Sequence, residues 1–172
     1  MAMDLSRFIR DVPDFPKPGI LFKDITPLLA APEAFQFAIQ SFVDHYRGHD
    51  IDAVAAAEAR GFLFAAPLAM LIKKPLVPLR KPGKLPYRTH ALQYDLEYGT
   101  AELHVHVDGF TNGAKVLLVD DLLATGGTLA AGCKLIERAG ANIVGCAVLV
   151  ELLFLKGREK LKPYEVFSLL RY

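Results

Sequence analysis

The residues Asp120-Asp121-Leu122-Leu123-Ala124-Thr125-Gly126-Gly127-Thr128 set two carboxylates directly ahead of a turn built from glycine and hydroxyl side chains. They follow the apolar run Val116-Leu117-Leu118-Val119, which reads as a strand buried on both faces. They precede a helical pattern over residues 129–139, in which Leu129, Cys133 and Ile136 recur on one side. Successive backbone N–H groups at a strand–turn–helix junction form a positive concavity that suits a phosphate. Gly126 and Gly127 let the backbone approach such a group closely, and Thr125 and Thr128 add hydroxyl donors. Asp120 and Asp121 would repel a phosphate, so they suit sugar hydroxyls or a hydrated metal beside it. A phosphorylated ribose satisfies both ends. The plainer alternative is a simple turn with a capping Thr and solvated acids. No Gly-Lys-Ser/Thr follows, which excludes a Walker loop, and the dinucleotide Gly-x-Gly-x-x-Gly pattern is absent.

Two further clusters carry charge suited to anions. Glu58-Ala59-Arg60-Gly61 lies between an apolar strand and a helix, where Arg60 can act as a bidentate donor. Arg80-Lys81-Pro82-Gly83-Lys84 brings Arg80, Lys81 and Lys84 together, either as a solvated loop or to neutralise a pyrophosphate. His104-x-His106 has the spacing of a metal pair, although same-face strand histidines are more often simply exposed.

The elements that must position these groups follow from periodicity. A short helix is expected over residues 4–11, an extended turn over 14–19 and a short apolar stretch over 20–25 that Thr26-Pro27 stops. Residues 33–46 read as a helix after Pro32, 51–57 as a buried strand, 62–72 as an apolar helix and 76–79 as a strand. Residues 81–96 read as a long irregular lid, and 101–107 as a half-exposed strand. Residues 142–150 and 164–169 read as the last two strands. Strands and helices that alternate from residue 51 onward imply an α/β fold with a mainly parallel, twisted sheet and helices on both faces. Ligands bind such sheets beyond the carboxyl ends of the strands, so the loops after Ala57, Leu79 and Val119 should meet there.

With 172 residues and a net charge of +1, the chain suits one domain and offers no electrostatic argument for nucleic acid or an anionic membrane. It carries no basic leader with an apolar stretch and no apolar run of about 20 residues. Cys133 and Cys146 lack metal-type spacing and read as buried thiols of a reducing cytoplasm.

The segment Val119-Asp120-Asp121-Leu122-Leu123-Ala124-Thr125-Gly126-Gly127-Thr128 is similar to the phosphoribosyl pyrophosphate (PRPP) signature of the type I phosphoribosyltransferase family. Phe15-Pro16-Lys17-Pro18-Gly19 and Leu96-Glu97-Tyr98-Gly99 resemble elements of its adenine-using branch, and the resemblance continues through Leu155-Lys156-Gly157-Arg158-Glu159-Lys160-Leu161. The resemblance implies a single domain over residues 1–172, with a base-binding hood at 1–32 and a flexible lid at 81–100. It implies that Asp120 and Asp121 hold the ribose hydroxyls, while Ala124, Thr125, Gly126, Gly127 and Thr128 hold the 5-phosphate. Ala59 and Arg60 would serve the pyrophosphate, with a non-proline cis peptide expected at Ala59-Arg60, and Arg80, Lys81 and Lys84 would add PRPP contacts. Arg60, Glu97 and Tyr98 form the implied catalytic set: Glu97 assists proton movement on the purine and Tyr98 covers the ribose. Leu21, Phe22 and Lys23 would take adenine, Phe22 by stacking worth about 1–3 kcal/mol and the other two through backbone groups. Lys23 stands where many relatives carry Arg. Magnesium is implied, held mainly by PRPP oxygens and water with contact to Asp120, in a cytoplasmic homodimer that makes AMP and pyrophosphate for purine salvage. A 6-oxopurine acceptor and a non-catalytic PRPP sensor remain as alternatives. Against the sensor stand the near-neutral charge and the lack of an added nucleic-acid-binding element.

Overall fold

The computed structural model describes residues 3–95 and 99–172. Two compact units make up the chain, Met1–His45 and Tyr46–Tyr172. The N-terminal unit extends beyond the expected hood boundary at residue 32, because α2 (Pro32–His45) packs with α1 (Thr26–Ala30) and the 3-10 turn Leu5–Phe8 of the same unit.

In this unit, the helix expected over residues 4–11 is only that 3-10 turn, capped by the Asp4 carboxylate. The chain then leaves as β1 (Arg10–Pro13), which pairs antiparallel with β2 (Leu21–Asp24) in the register Asp11↔Lys23 and Val12↔Phe22. Cross-strand pairing competes here with a helical pattern only two turns long, and it wins. The connection is pinned where the Asp14 carboxylate accepts from the Gly19 amide at 2.8 Å, and it includes a cis Phe15-Pro16 bond. The apolar stretch does end before Thr26-Pro27, and Pro27 then lies in the first turn of α1, where a proline forfeits no helical hydrogen bond.

The C-terminal unit runs β3 (Ala53–Ala57), α3 (Gly61–Ile72), β4 (Leu76–Leu79), β5 (Thr89–Asp95), β6 (Thr100–His106), β7 (Lys115–Leu123), α4 (Gly127–Arg138), β8 (Asn142–Glu151) and β9 (Val166–Arg171). Its sheet has the order β4-β3-β7-β8-β9, with every pair parallel. Leu129, Cys133 and Ile136 of α4 do face the core, together with Ala55, Val116, Leu118, Cys146 and Val148. The alternate strand residues Val54, Ala56, Leu117, Val119 and Leu149 are just as buried, so both faces of the sheet are covered and its strands read as continuous apolar runs. α3 lies along β3 and β7 and buries Phe64, Ala65 and Leu68.

The irregular lid is shorter than its sequence suggests. Residues 89–95 form β5, paired antiparallel with β6 from Thr89↔His106 to Asp95↔Thr100. Leu92 and Tyr94 pack against the core from this hairpin, an alternation that the prolines upstream obscure. The His104 ring sits between the Thr89 hydroxyl at 2.9 Å and the Glu102 carboxylate at 2.7 Å. It is thus part of a strand-surface network, and the described residues contain no cluster of three or more metal-ligating side chains.

Candidate active site

The sheet order reverses at β3: the chain passes to β4 on one side, then returns to β7 on the other. A crevice opens beyond the carboxyl ends at such a switch point. Here it holds a cavity of about 240 Å³ lined by Glu58, Ala59 and Arg60 after β3 and by residues 120–129 at the end of β7 and the start of α4.

The β7 strand continues through Asp120 and Asp121 to Leu123, so the two acids are fixed by the parallel ladder to β8 rather than hanging from a loop. The Asp120 carboxylate accepts from the Asp121 amide at 2.8 Å and lies against the start of α3, where a Cβ at Gly61 would come within 3.0 Å of Asp120 Oδ1. Burial, then the neighbouring Asp121 carboxylate, push the Asp120 carboxyl well above the ordinary range. Burial raises Asp121 as well, and the Arg60 guanidinium opposes that rise. Arg60 Nε meets Asp121 Oδ2 at 2.9 Å, an ion pair in which the acid is 6% exposed. Arg60 and Asp121, read from sequence as contacts for opposite ends of one ligand, are therefore partners of each other.

At the turn, Gly126 has φ +80°, the left-handed backbone that glycine adopts without strain. It caps α4, whose first hydrogen bond runs from the Ala130 amide to the Gly126 carbonyl at 2.9 Å. Gly127 is different. A Cβ there would meet nothing closer than Asp95 O at 3.6 Å, so the fold alone does not demand glycine at this position.

The cis peptide lies at Glu58-Ala59, one bond before the expected Ala59-Arg60. Arg60 already has helical backbone angles as the N-cap of α3, which leaves the preceding residues to make the turn out of β3. Glu58 itself is a group that sequence reading missed. Its carboxylate accepts from the Lys81 amide at 2.5 Å and pairs with Arg80 Nη2 at 3.5 Å, tying the loop after β3 to the loop after β4. The Lys81 amide, then Arg80, hold Glu58 below the usual carboxylate range. Arg80 thus reaches the site through Glu58. Lys81 lines a neighbouring cavity with Gln93, Tyr94 and Glu102, and exposed Lys84 lies in a turn whose amide donates to the Lys81 carbonyl. The roles expected of Glu97 and Tyr98 fall on residues outside the described ones.

Leu21, Phe22 and Lys23 lie together on β2 of the N-terminal unit. The rings of Phe15 and half-buried Phe22 meet in a T-shaped arrangement with centroids 5.0 Å apart. The Lys23 ammonium pairs with Asp11 at 2.6 Å across the hairpin.

The family profile described as "Phosphoribosyl transferase domain" matches residues 24–170. A protein of Rhodopirellula baltica named adenine phosphoribosyltransferase is 55% identical over 170 residues, 99% of this chain and 82% of its own length. The crystal structure of adenine phosphoribosyltransferase from Thermoanaerobacter pseudethanolicus is 49% identical and superposes with a TM-score of 0.95, covering 98% of each chain. The Saccharomyces cerevisiae enzyme of that name, solved with an imino-altritol bisphosphate and adenine, is 38% identical with a TM-score of 0.92 over 96% of each chain.

Proposed function

Because this chain belongs to the phosphoribosyl transferase domain family, we infer that it transfers the phosphoribosyl group of PRPP to adenine, giving AMP and pyrophosphate. The observation that carries this reading is the switch-point cavity, where a carboxylate pair and a glycine turn line one concave surface.

Residues 124–128 take the 5-phosphate through amide and hydroxyl donors at the start of α4. Gly127 fits this role because its missing side chain leaves the backbone open to an approaching phosphate at a position the fold does not crowd. Asp120 and Asp121 accept from the ribose hydroxyls. As those hydroxyls engage the acids, Arg60 exchanges part of its interaction with Asp121 for the departing pyrophosphate. Preorganised charge of this kind commonly supplies the largest part of a rate enhancement. Ala59, Arg80, Lys81 and Lys84 complete the positive surround of the leaving group. Glu97 takes the azole proton of adenine, and Tyr98 covers the ribose. Leu21 and Lys23 read the base edge through backbone groups, with the Lys23 side chain already committed to Asp11, and Phe22 supplies the stacking face.

Magnesium suits this donor set. It is commonly held by one or two carboxylates together with substrate phosphate oxygens, and Asp120 is the side chain assigned to touch it. Bound there, it would supply positive charge against the pyrophosphate. A homodimer is the proposed working form, and the apolar residues Leu63, Met70 and Leu71 that α3 leaves exposed support a contact there; the cytoplasm is its proposed compartment.

The test is PRPP-dependent conversion of radiolabelled adenine to AMP by purified protein, with hypoxanthine, guanine and xanthine as competitors. AMP is the expected product, and preference for a 6-oxopurine would overturn the assignment of the base. Glu97→Ala should lower turnover strongly while PRPP affinity stays nearly intact; unchanged turnover would remove Glu97 from the mechanism.

A further inference from the structure

Gly126 and Gly157 come from segments 31 residues apart and meet backbone to backbone. A Cβ on Gly157 would collide with the Ala124 carbonyl oxygen and come within 2.8 Å of Leu123 Cδ1 and 3.1 Å of the Gly126 nitrogen. A Cβ on Gly126 would collide with the Gly157 carbonyl. Neither position has room for a methyl group, and both neighbours that would have to yield are main chain. Gly157 opens the 3-10 turn Gly157–Leu161 and follows Lys156, itself left-handed at φ 52°.

The next residue fastens this segment to the sheet. Arg158 donates Nε to Glu151 Oε1 at 2.5 Å and Nη2 to Oε2 at 2.7 Å, closing a bidentate pair with an acid only 3% exposed. Arg158 Nη1 donates to the Val166 carbonyl at 2.9 Å, and the Ser168 hydroxyl donates to Glu151 Oε2 at 2.6 Å. Arg171 Nε reaches the Ser168 oxygen at 2.9 Å. The end of β8, the segment that follows it and strand β9 thus form one network, and the Leu152 amide ties the end of β8 to the Leu123 carbonyl at 2.9 Å. A buried ion pair is a poor way to gain stability but a good way to fix a geometry.

We propose that Gly157, held by the Arg158–Glu151–Ser168 network, is a positioning residue that sets the curvature of the 124–128 turn and hence affinity for the phosphate end of PRPP. This rests on the reading of that turn as the phosphate site. The converging amides must point at one anion, and the Gly126–Gly157 contact fixes where the turn lies. Displacements of about 1 Å at a binding geometry can cost up to 100-fold.

Gly157→Ala should raise KM for PRPP about tenfold or more, while KM for adenine and kcat at saturating PRPP stay within about twofold. Ser168→Ala, which leaves the glycine contact free of any clash, should raise KM for PRPP roughly threefold on the same logic and decides the matter if Gly157→Ala fails to fold. Leu68→Ala, buried in α3, is the control: it should lower the melting temperature without moving KM for PRPP. Titration of the Gly126 and Gly127 amide resonances with ribose 5-phosphate reports on the turn without turnover, and it should show weaker binding in Gly157→Ala and Ser168→Ala. Unchanged ribose 5-phosphate affinity in the folded variants, or a parallel rise in KM for adenine, would overturn the proposal. Failure of the wild-type protein to form AMP while it binds ribose 5-phosphate would instead strike at the activity.

Discussion

Asp120 illustrates how a binding group works against the fold that carries it. Its carboxyl is raised because burial and Asp121 both oppose the charge. An acid with a raised folded pKa costs stability above that pKa, and the cost disappears as pH falls and the proton is bound. Asp120→Asn keeps the oxygen that accepts the Asp121 amide and removes the charge. The ligand-free variant should melt roughly 2–8 °C higher near neutral pH, while turnover at subsaturating PRPP falls at least about tenfold. A variant less stable than wild type under these conditions would show that Asp120 is compensated in the free protein. Gly127 offers the complementary case. Gly127→Ala should leave the melting temperature unchanged or slightly raised, because alanine is the better helix former and its Cβ meets open space. KM for PRPP should nonetheless rise about tenfold or more if the phosphate approaches that backbone. A normal KM would place the phosphate elsewhere.

At the scale of the element, α3 faces two ways. Phe64, Ala65, Leu68 and Ala69 are buried, whereas Leu63, Met70 and Leu71 are 44%, 72% and 50% exposed. A helix that is apolar all round needs cover on its second side as well. In the proposed homodimer a second copy of the chain would meet that need, with its contact on the helix whose first turn follows Arg60. Met70→Glu should convert a dimer to monomer in light scattering after gel filtration, because a charge at the centre of the paired faces goes unsatisfied. A wild-type monomer, or a Met70→Glu dimer, would remove α3 from the interface. α4 shows the opposite economy: its inner face is filled by Leu129, Cys133, Leu135 and Ile136, and the thiol of Cys133 meets that of Cys146 at 3.5 Å in the core. That contact, then burial, raises the Cys133 thiol well beyond its ordinary range, which keeps it protonated.

For the whole molecule, the titrating groups pull in opposite directions. Glu151 and Glu58 are held below their ordinary range, chiefly by Arg158 and by the Lys81 amide. A depressed acid contributes stability above its unfolded pKa of about 4.3, and this is lost as pH falls through the folded value. Asp120 and Asp121 are raised, so their cost is relieved over the same descent. The ligand-free protein should therefore gain or hold stability as pH drops from neutral toward about 5, then lose it steeply below about 4. Thermal melts across that range check the shape. In Asp120→Asn the rise toward pH 5 should shrink while the acid collapse remains, and an unaltered profile would assign the rise to other groups.

Much of this was legible in the order of the residues. The apolar run before Asp120, the two glycines after it and the 3.6-residue spacing of Leu129, Cys133 and Ile136 are local, and local patterns determine a strand, a turn and a helix. Strand–helix alternation determined the parallel sheet, and with it the end of the sheet at which the loops after β3 and β7 would meet. Tertiary structure alone decided the pairings between distant residues. Nothing in the spacing says that Arg60 rests on Asp121, that Glu58 holds the Lys81 amide, or that Leu92 and Tyr94 make a strand of what reads as a loop. Gly126 reads from sequence as a phosphate-turn glycine and Gly157 as one residue of a distant segment, and only the fold presses one backbone against the other. Such contacts depend on where separate segments come to rest in space, which short-range sequence pattern does not encode.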